Sequence, residues 1–599
     1  MLRVNLIPHK TKLFFFLKIL LFLIALAPFL YLTGRFFAIS LGRMRVFYEL
    51  EFQEGDMALA CHRYLKGLPL YPDPEQDFVH LTYPPGMDVI TSFAMLVLGS
   101  KKIWVGRLVS FLFTMGILVT LFKWIWRETG SLAGAVFGPL VYLAYYPITG
   151  YWYDIFRPDS GFIFFSLLGC YFLTWKYPGR EGVMAGVAGA LIFSIAAYTK
   201  QSAVLFGGVA FMIHALLYRN KIPILTALVG LVTSVLILLY LYATNPFFHV
   251  QCIQILLEHF KNLESWHNRL DTELIQYTLI PTVMIFLWYV SSLARKKWRV
   301  LIHLALFGVG IYAGLKGLFK IGGYKNNYVP IAAFLSLGMG LALGGFFTDA
   351  GKRGFLKPLQ ILFQIALLII GFWYLHRIIR NLLLMRIIIF VLLAAAWGLW
   401  IFLSEEKKRL TFVSRILLCL CLFLWGGLLC HQWGALTLVK VNNKWKFVAP
   451  YALSHKVPPR NIVKESWRVL EKIQRLPGTV YIPHHNYYAW LIGKSVFYPV
   501  DTIRDLTIGR GIKMIPGNFL KALDERRFDF IILNDQIGRD WLDNPIRDAI
   551  QGNYEQMENM ETMGWNLLRP VDATAMKPRF IWRRKDWKDK NPSHASPAP

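Results

Sequence analysis

Ionisable side chains are sparse in this chain, since only 17% of its 599 residues are charged while 55% are hydrophobic. Eight of the nineteen acidic residues that precede residue 435 nevertheless lie between Glu49 and Asp88. Two of these acids, Glu54 and Asp56, flank Gly55, around which both could reach one pocket. Either carboxylate could serve as the general base for an acceptor hydroxyl group. The alternative is a solvated acidic loop, the common setting for such residues.

Two proline-containing stretches add aromatic and cationic groups. The prolines that follow Tyr83 in Tyr83-Pro84-Pro85-Gly86 favour an extended entry and disfavour helix upstream, as a simple turn would also require. In Arg157-Pro158-Asp159, the carboxylate of Asp159 could orient Arg157 or another cation toward a phosphate group. A buried Arg–Asp pair that joins two helices is the alternative for that motif.

Two more polar stretches interrupt apolar sequence. Lys200, followed by Gln201, is the only charge in a long apolar stretch and is either a phosphate contact or a snorkelling membrane anchor. The segment Gly322–Tyr328 offers Tyr324 and Asn326 beside two glycines that allow close backbone approach, or it is simply a turn. These residues are candidates for substrate binding.

The elements that must position these residues are membrane helices. Apolar runs of 17–22 residues recur from Leu13 to about Trp433, and each is long enough to cross a ~30 Å hydrocarbon layer. The chain is therefore predicted to be an all-α polytopic membrane protein over residues 1–435. The predicted spans are 13–33, 103–122, 131–149, 160–175, 183–199, 202–218, 223–244, 277–294, 300–316, 328–347, 358–376, 385–403 and 411–433, thirteen in all.

Charge in the short loops predicts the orientation. Lys and Arg concentrate on one side, most strongly at residues 295–299, which places the N-terminus in the cytoplasm and the C-terminus outside. Residues 84–100 are short, begin with two prolines and contain Asp88, so an interfacial helix is expected there rather than a span. The outer side then holds the loops 34–102 and 245–276 together with the C-terminal tail.

The tail changes composition and predicts a small extracytoplasmic α/β domain over residues 436–587. Three strands and two helices are expected, at Thr479–Ile482, Ser495–Pro499, Phe528–Leu533, Asn461–Leu476 and Asn518–Arg526. Residues 588–599 are expected to be disordered. His484 and His485 have no partner spacing for a metal ion and receive no role.

Several function classes are disfavoured. The net charge of +29 lies largely in membrane loops, where it sets topology and contacts lipid, so nucleic acid is not an expected partner. The six cysteines show no CxxC or Cys/His metal spacing. The middles of the spans contain essentially no carboxylates, which argues against an ion-coupled transporter. Acids at one membrane surface instead suit chemistry on a lipid head group.

Taken in order, these motifs resemble the GT-C superfamily of glycosyltransferases. The chain has one leading span, an acidic motif, a helix ending at Gly67, then "PLY", "YPP", "RPD" and "TKQ". It is most similar to the protein O-mannosyltransferases and the lipid A aminoarabinose transferases, and the likeness covers about residues 13–280. The thirteen spans and the outer C-terminal domain also match the family plan.

The resemblance implies a polyprenyl-phosphate sugar donor, an outer-face active site and inversion at the sugar. The family's catalytic carboxylate usually lies in an Asp-Glu pair, which here falls on Gln53-Glu54, so Glu54 is the better match and Asp56 the second. Asp159 matches the family's second acidic site and Lys200 its lysine after the fifth span. Metal use varies in the family, so a divalent metal stays undecided and no cofactor is assigned.

The resulting expectation is a membrane glycosyltransferase in a bacterial inner membrane. It would transfer a hexosyl or pentosyl group from a lipid-phosphate donor to a glycan, lipid or protein acceptor. A transporter or flippase of a lipid-linked saccharide is the alternative, and it predicts polar residues along a cavity at the membrane midplane.

Overall fold

A computed structural model describes most of the chain. The residues described are 9–76, 78–218, 220–258, 274–320, 323–349, 422–423, 425–427, 429–430, 437–441, 444–448, 456–508, 515–540, 542–571 and 576–587. The predicted spans 358–376 and 385–403, and most of 411–433, lie outside these residues, as does the predicted disordered tail 588–599. The total of thirteen spans therefore stays a prediction.

Helices dominate the first part of the chain. They are α1 His9–Arg43, α2 Glu54–Leu65, α3 Gly86–Val97, α4 Ile103–Thr129, α5 Leu132–Ala144, α6 Asp159–Leu173, α7 Gly179–Thr199, α8 Ala203–Leu217, α9 Ile222–Thr244, α10 Ile255–Glu258, α11 Gln276–Ala294, α12 Val300–Leu318 and α13 Val329–Asp349. A π-helical turn at Val250–Gln254 precedes α10, and a 3-10 turn at Lys325–Tyr328 precedes α13.

The predicted spans correspond to these helices as far as the described residues go. Seven helices are long and apolar enough to cross a membrane by length and composition. Three more predicted spans coincide with the shorter apolar helices α5, α6 and α8. The chain is thus mostly helical and of the membrane type, as expected from its apolar runs.

Small residues let two of these helices pack closely. A side chain at Gly134 of α5 would meet the Cα atom of Gly344 in α13 at 2.8 Å, so their backbones are nearly in contact. Close approach of this kind favours association of helices inside a bilayer. The polar hydroxyl of Ser131 accepts a hydrogen bond from the backbone N–H of Gly134 and caps the start of α5.

The short helix α3 does not have the length of a span. Its 12 residues extend about 18 Å, well under the thickness of a bilayer core. It buries Asp88 and exposes Phe93, Leu96 and Val97 to 63–67%. This amphipathic character agrees with the predicted interfacial helix at residues 84–100.

The long helix α4 separates two ends of the bundle. Its last turn holds Glu128, which pairs with Arg299 from the basic segment 295–299 at 2.8 Å. Its first turns hold Arg107, which contacts the first loop. A helix of 27 residues is about 40 Å long, so the basic segment and the first loop lie at opposite ends. The end at which α4 begins is called the site end below.

The C-terminal part combines strands and helices. Its elements are β1 Thr437–Val441, β2 Lys444–Val448, α14 Arg460–Gln474, β3 Val480–Tyr481, α15 Asn486–Leu491, α16 Val500–Ile508, α17 Gly517–Asp524, β4 Phe530–Leu533, α18 Asn544–Asn553, β5 Tyr554–Asn559 and β6 Phe580–Arg584. β1 and β2 form an antiparallel hairpin, and the other strands form one sheet in the order β3-β4-β6-β5. Among the described strands of this sheet, β3 and β4 are the one parallel pair.

The predicted small α/β domain is confirmed in type, with one correction. The strand expected at Ser495–Pro499 is extended chain that pairs with no strand among the described residues. Its apolar residues pack instead into the domain core, where Phe497 and Tyr498 are buried. Alternating apolar residues alone therefore did not distinguish a strand from a buried loop.

The C-terminal domain and the first loop share one hydrophobic core. Tyr48, Met57 and Leu81 of the loop lie in the same cluster as Ile482 and Tyr487 of the domain. Burial of this common core fixes the domain on the site end of the bundle.

A polar contact adds to that docking. The carboxylate of Glu75 accepts hydrogen bonds from the backbone N–H groups of Gly517, at 2.9 Å, and Asn518, at 2.7 Å. An acid at the start of a helix such as α17 is stabilised by the helix dipole.

Candidate functional site

Glu54 is tied into the protein by Arg107, a residue of α4 that was not among the predicted site residues. The guanidinium group of Arg107 donates to both Glu54 oxygens, at 3.0 and 2.7 Å. The backbone N–H groups of Phe156 and Leu50 donate to the same carboxylate at 2.9 and 2.8 Å. Glu54 and Arg107 are fully buried. Burial alone raises the pKa of Glu54, but Arg107 and these hydrogen bonds hold it below its usual value.

Asp56 has the opposite surroundings. Its side chain is 8% exposed, and none of the described residues donates a hydrogen bond to it. Burial raises its pKa well above the usual value, and the charges of Asp501 and Glu51 add to this, while Arg157 and His484 oppose it. A buried carboxylate without a hydrogen-bond partner is uncommon and marks a place for a ligand or a proton.

The two acids do not reach one pocket, contrary to what the spacing around Gly55 suggested. Both lie in the first turn of α2, where residues two apart point in different directions. Glu54 consequently faces α4, and Asp56 faces Arg157 and the C-terminal domain.

Gly55 itself serves the docking of the C-terminal domain. A Cβ atom there would lie 2.7 Å from the Cβ of Tyr487 and would collide with the Glu49 carboxylate. Glu49 in turn hydrogen-bonds Nδ1 of His485. Burial raises the pKa of Glu49 and lowers that of His485 to about 3, so burial favours the neutral form of both side chains.

A charged histidine lies beside that neutral pair. His484 contacts Asp501 through Nδ1 at 3.1 Å and Asp540 through Nε2 at 2.7 Å. Burial opposes its charge, but the two carboxylates raise its pKa to about 10, so the imidazolium form is held near neutral pH. The C-terminal domain thus brings an ordered Asp–His–Asp group next to the first loop.

Arg157 joins the first loop to the aromatic motif. Its Nη1 donates to the side chain of Gln53 and lies 3.5 Å from Glu51, and its Nη2 donates to the hydroxyl of Tyr83 at 3.1 Å. Its Nε is buried and has no hydrogen-bond partner among the described residues. Burial, opposed by Arg157, raises the pKa of Glu51 to about 7.

Asp159 collects three donors at the start of α6. Its Oδ1 accepts from Lys200 Nζ at 2.6 Å and from Asn326 at 3.2 Å, and its Oδ2 accepts from the Trp152 indole at 2.9 Å. The prediction that Asp159 orients a cation therefore applies to Lys200 rather than Arg157. The side chain of Lys200 is 12% exposed, and its ammonium lies 5.6 Å from the centre of the Tyr83 ring.

A glycine brings the aromatic motif against this lysine. A Cβ atom at Gly86 would lie 2.9 Å from the backbone nitrogen of Thr199, so α3 and the end of α7 meet closely. This approach puts Tyr83 between Lys200 and Arg157, with the Arg157 guanidinium 5.2 Å from the ring centre. The two cations therefore share one aromatic partner.

The remaining predicted residues lie around this group. The amide nitrogen of Gln201 donates to the carbonyl oxygens of Thr82 and Cys252, both at 3.0 Å, which ties the chain after α7 to two other segments. The ring of Tyr324 packs on Trp152 with their centres 5.2 Å apart. Both residues support the site rather than contributing a charge to it.

Several residues of the site were missed in the sequence. They are Arg107, Trp152, Lys320, His484, Asp501, Asp505 and Asp540. A single arginine in the apolar start of α4 was the one available signal, because a charge inside a membrane helix is expensive unless paired. No comparable signal marked His484, Asp501, Asp505 and Asp540, since polar residues are ordinary in a water-facing domain. Trp152 and Lys320 lie in the segments that follow α5 and α12, where an aromatic or basic residue is equally ordinary.

The acids and cations form one continuous cluster at the site end. Asp505 lies near Lys320 and Arg157, and burial together with Asp501 raises its pKa to about 7. Burial and the neighbouring charge of Lys200 lower the pKa of Lys320 to about 8. Among the described residues, no group of three or more His, Cys, Asp or Glu side chains is arranged to hold a metal ion.

Comparison with known proteins finds likeness in structure alone. No protein-family model matches the chain. No curated protein matches its sequence.

Solved structures with a similar fold include two of ArnT. ArnT from Cupriavidus metallidurans bound to undecaprenyl phosphate is 12% identical, with a TM-score of 0.50 over 96% of this chain and 98% of that chain. The apo state of ArnT is 13% identical, with a TM-score of 0.50 over 96% and 97%. The Archaeoglobus fulgidus oligosaccharyltransferase tethered to an acceptor peptide is 10% identical, with a TM-score of 0.44 over 89% and 69%. The chain therefore shares the overall fold of the two ArnT structures along nearly its whole length, as the resemblance led us to expect.

Proposed function

We propose that this chain is a membrane glycosyltransferase that moves a sugar from a polyprenyl-phosphate donor to a hydroxyl group of an acceptor. The observation that carries the proposal is the cluster at the site end. It places an unpartnered carboxylate, Asp56, and two cations, Arg157 and Lys200, in one connected group. The fold shared with an ArnT structure that holds undecaprenyl phosphate supports the lipid-linked donor.

The cations form the donor side of the site. Lys200 and Arg157 are nearly buried, so their charges are weakly screened and can neutralise a phosphate group. The Arg157 Nε and the small exposed part of Lys200 are the groups available for it. Asp159 and Tyr83 fix the positions of these cations, and stabilisation of a leaving phosphate needs such fixed charge.

Asp56 is the general base in this proposal, and Glu54 is a structural acid. Asp56 takes the proton of the acceptor hydroxyl, whose oxygen forms a bond to the anomeric carbon. The bond from that carbon to the phosphate oxygen breaks, and the polyprenyl phosphate leaves with the electron pair. Attack from the face opposite the leaving group inverts the sugar. Glu54 lacks a free lone pair for this role because its oxygens already accept from Arg107, Phe156 and Leu50.

The side of the membrane on which the site lies is part of the proposal as well. Positive residues at 295–299 lie at the end of α4 opposite to the site. The positive-inside rule then puts the site on the extracytoplasmic face of a bacterial inner membrane, where lipid-linked sugars and envelope glycans meet. Glycan, lipid and protein acceptors all fit this placement.

The test uses the full chain in detergent or vesicles with a polyprenyl-phosphate donor whose sugar is labelled. Release of free polyprenyl phosphate is measured for the wild type, for Asp56→Asn and for Asp548→Asn, which alters an exposed aspartate on α18. The proposal expects release from the wild type and Asp548→Asn, and almost none from Asp56→Asn. Movement of intact donor across the vesicle without release would instead support the transporter alternative and overturn the proposal.

A further inference from the structure

Helix α16 of the C-terminal domain presents two carboxylates toward the site. Asp501 and Asp505 are four residues apart, so they lie on one face of the helix. Asp501 is 7% exposed, and one of its oxygens lies 3.1 Å from the imidazolium of His484. Neither the apolar spacing nor the resemblance assigned these residues a role.

This face of α16 lies against the acids and cations of the site end rather than against the core of the C-terminal domain. The charge of Asp501 acts on Asp56 and on Glu51. Asp505 faces Arg157 from the segment before α6 and Lys320 from the segment after α12. The face therefore borders the site on the side of the C-terminal domain, and the helix bundle borders it on the other side.

Unpartnered polar groups surround this face. Asp56 is more than nine-tenths buried and accepts no hydrogen bond from the described residues. Among the same residues, none donates to the carboxylate of Asp505, and Arg157 Nε lacks an acceptor. Asp505 is partly exposed, whereas Asp56 and the Arg157 Nε are buried. Because buried polar groups are normally satisfied, these two groups beside the α16 carboxylates indicate a polar ligand between them.

We propose that α16 forms the acceptor side of the site and that Asp501 and Asp505 accept hydrogen bonds from neighbouring hydroxyl groups of an uncharged carbohydrate. This inference rests on the proposed function, since it needs Asp56 as the base. One hydroxyl of the sugar reaches Asp56, and the adjacent hydroxyls bind the face of α16. The C-terminal domain thereby selects the acceptor, while the helix bundle binds the donor.

The balance of charge favours a neutral acceptor. In their charged forms, Glu51, Asp56, Asp501 and Asp505 repel an acceptor that carries phosphate or carboxylate at its reacting end. An ammonium group is not required either, because Arg157 and Lys320 lie next to these acids and His484 already holds Asp501. Hydroxyl groups donate to carboxylates without adding charge.

His484 acts as a positioning residue for Asp501. It is held between Asp501 and Asp540, at 3.1 and 2.7 Å, and both carboxylates raise its pKa to about 10. Its proton fixes one oxygen of Asp501, which leaves the other oxygen for the acceptor. The backbone N–H of Asn534 in turn donates to Asp540 at 3.0 Å, so the arrangement is anchored in the loop after β4.

The experiment measures polyprenyl phosphate release by the full chain with three acceptors: a methyl hexopyranoside, its 6-phosphate and its 6-amino derivative. We expect the neutral glycoside to react at least about 10-fold faster than the phosphate. We expect Asp505→Asn to raise the KM of the neutral glycoside about 10-fold while the donor KM stays unchanged, since a hydrogen bond to a charged group is lost. Asp524→Asn, an exposed aspartate on α17, is the matched control and leaves both KM values unchanged.

The inference is overturned by faster transfer to the phosphate, by faster transfer to the amine than to the neutral glycoside, or by an unchanged acceptor KM in both Asp505→Asn and Asp501→Asn. Release to water that none of the glycosides accelerates also overturns it, while leaving the proposed function intact. If no polyprenyl phosphate is released even to water, the proposed function itself fails.

Discussion

Glu54 and Asp56 lie in the same turn of α2, but their surroundings differ in every respect that matters for reactivity. Glu54 is paired with Arg107 and accepts backbone hydrogen bonds from two other segments. Asp56 is nearly as buried but has no such partner among the described residues, and acids surround it. One carboxylate is stabilised in its charged form, and the other is destabilised in it.

The two acids differ in what they can do. The saturated ion pair of Glu54 holds the loop to the helices, and in the proposed function the carboxylate with unused lone pairs, Asp56, acts on the substrate. Glu75 follows the first pattern, because its carboxylate accepts two backbone hydrogen bonds at the start of α17. Asp88 and Glu51 do not: Asp88 lies 3.2 Å from His80 but neither of its oxygens has a hydrogen-bond partner among the described residues, and burial raises the pKa of Glu51 to about 7. The contrast can be tested residue by residue.

The largest effect is expected at Asp56. Replacement by Asn keeps the size of the side chain but removes the base, so the transfer rate should fall by about 10²–10⁴-fold. The melting temperature should not fall, because burial of a charged Asp56 does not stabilise the fold. Rate and melting temperature are measured on the same purified sample, and wild-type transfer by this variant would contradict the division of roles.

Glu54→Gln should act mainly on stability. The substitution leaves the Arg107 guanidinium buried without its carboxylate, and breaking a buried pair in this way costs about 3–5 kcal/mol. Thermal unfolding in detergent is the measurement, with Glu465→Gln on the exposed face of α14 as the control. A variant that melts like the wild type but no longer transfers sugar would show that Glu54 is the base.

Lys200→Gln should weaken donor binding. The loss of a charge-assisted contact to phosphate predicts an increase of the donor KM by about 10-fold or more, with a smaller change in the acceptor KM. Lys316→Gln removes an exposed lysine of α12 and should leave both values unchanged. A donor KM that does not respond to Lys200→Gln would separate this lysine from the donor side.

The smallest effect is a displacement of the pH profile. The base must be deprotonated to act, so activity is lost as pH falls through the pKa of Asp56, which burial and Asp501 raise. Asp501→Asn removes a like charge and should move this acid limb to lower pH. The charge of His484 lowers the pKa of Asp56, and Asp540 supports that charge. Asp540→Asn should therefore not move the acid limb to lower pH. Identical pH profiles in both variants would disprove the proposed effect of Asp501 and His484 on the pKa of Asp56.

Much of the fold was predictable from the sequence, because its signals are local. Apolar length alone located α4, α7 and α9, and two prolines with a buried acid marked α3 as too short to span. The donor side was predictable for the same reason. Asp159, Lys200 and Asn326 are polar interruptions of apolar sequence, and the structure joins them by hydrogen bonds.

The acceptor side was not predictable, because its polar residues are of types that are common in a water-facing domain. Aspartates on α16 and a His-His pair in a water-facing domain carry no local sign of burial. Their burial depends on docking against a loop more than 400 positions earlier in the chain, as the 436-residue separation of Glu49 and His485 shows. Spacing along a sequence does not report such a contact.

That separation also affects how a newly made molecule matures. At about 5–20 residues per second, a ribosome needs on the order of half a minute or more to go from Glu49 to His485. During that interval the first loop lacks the domain that will cover it, and its acids and aromatic rings stay accessible to proteases and chaperones. The cluster at the site end can therefore be completed only when translation is nearly finished, so under the proposed function shortened polypeptides would be inserted but inactive.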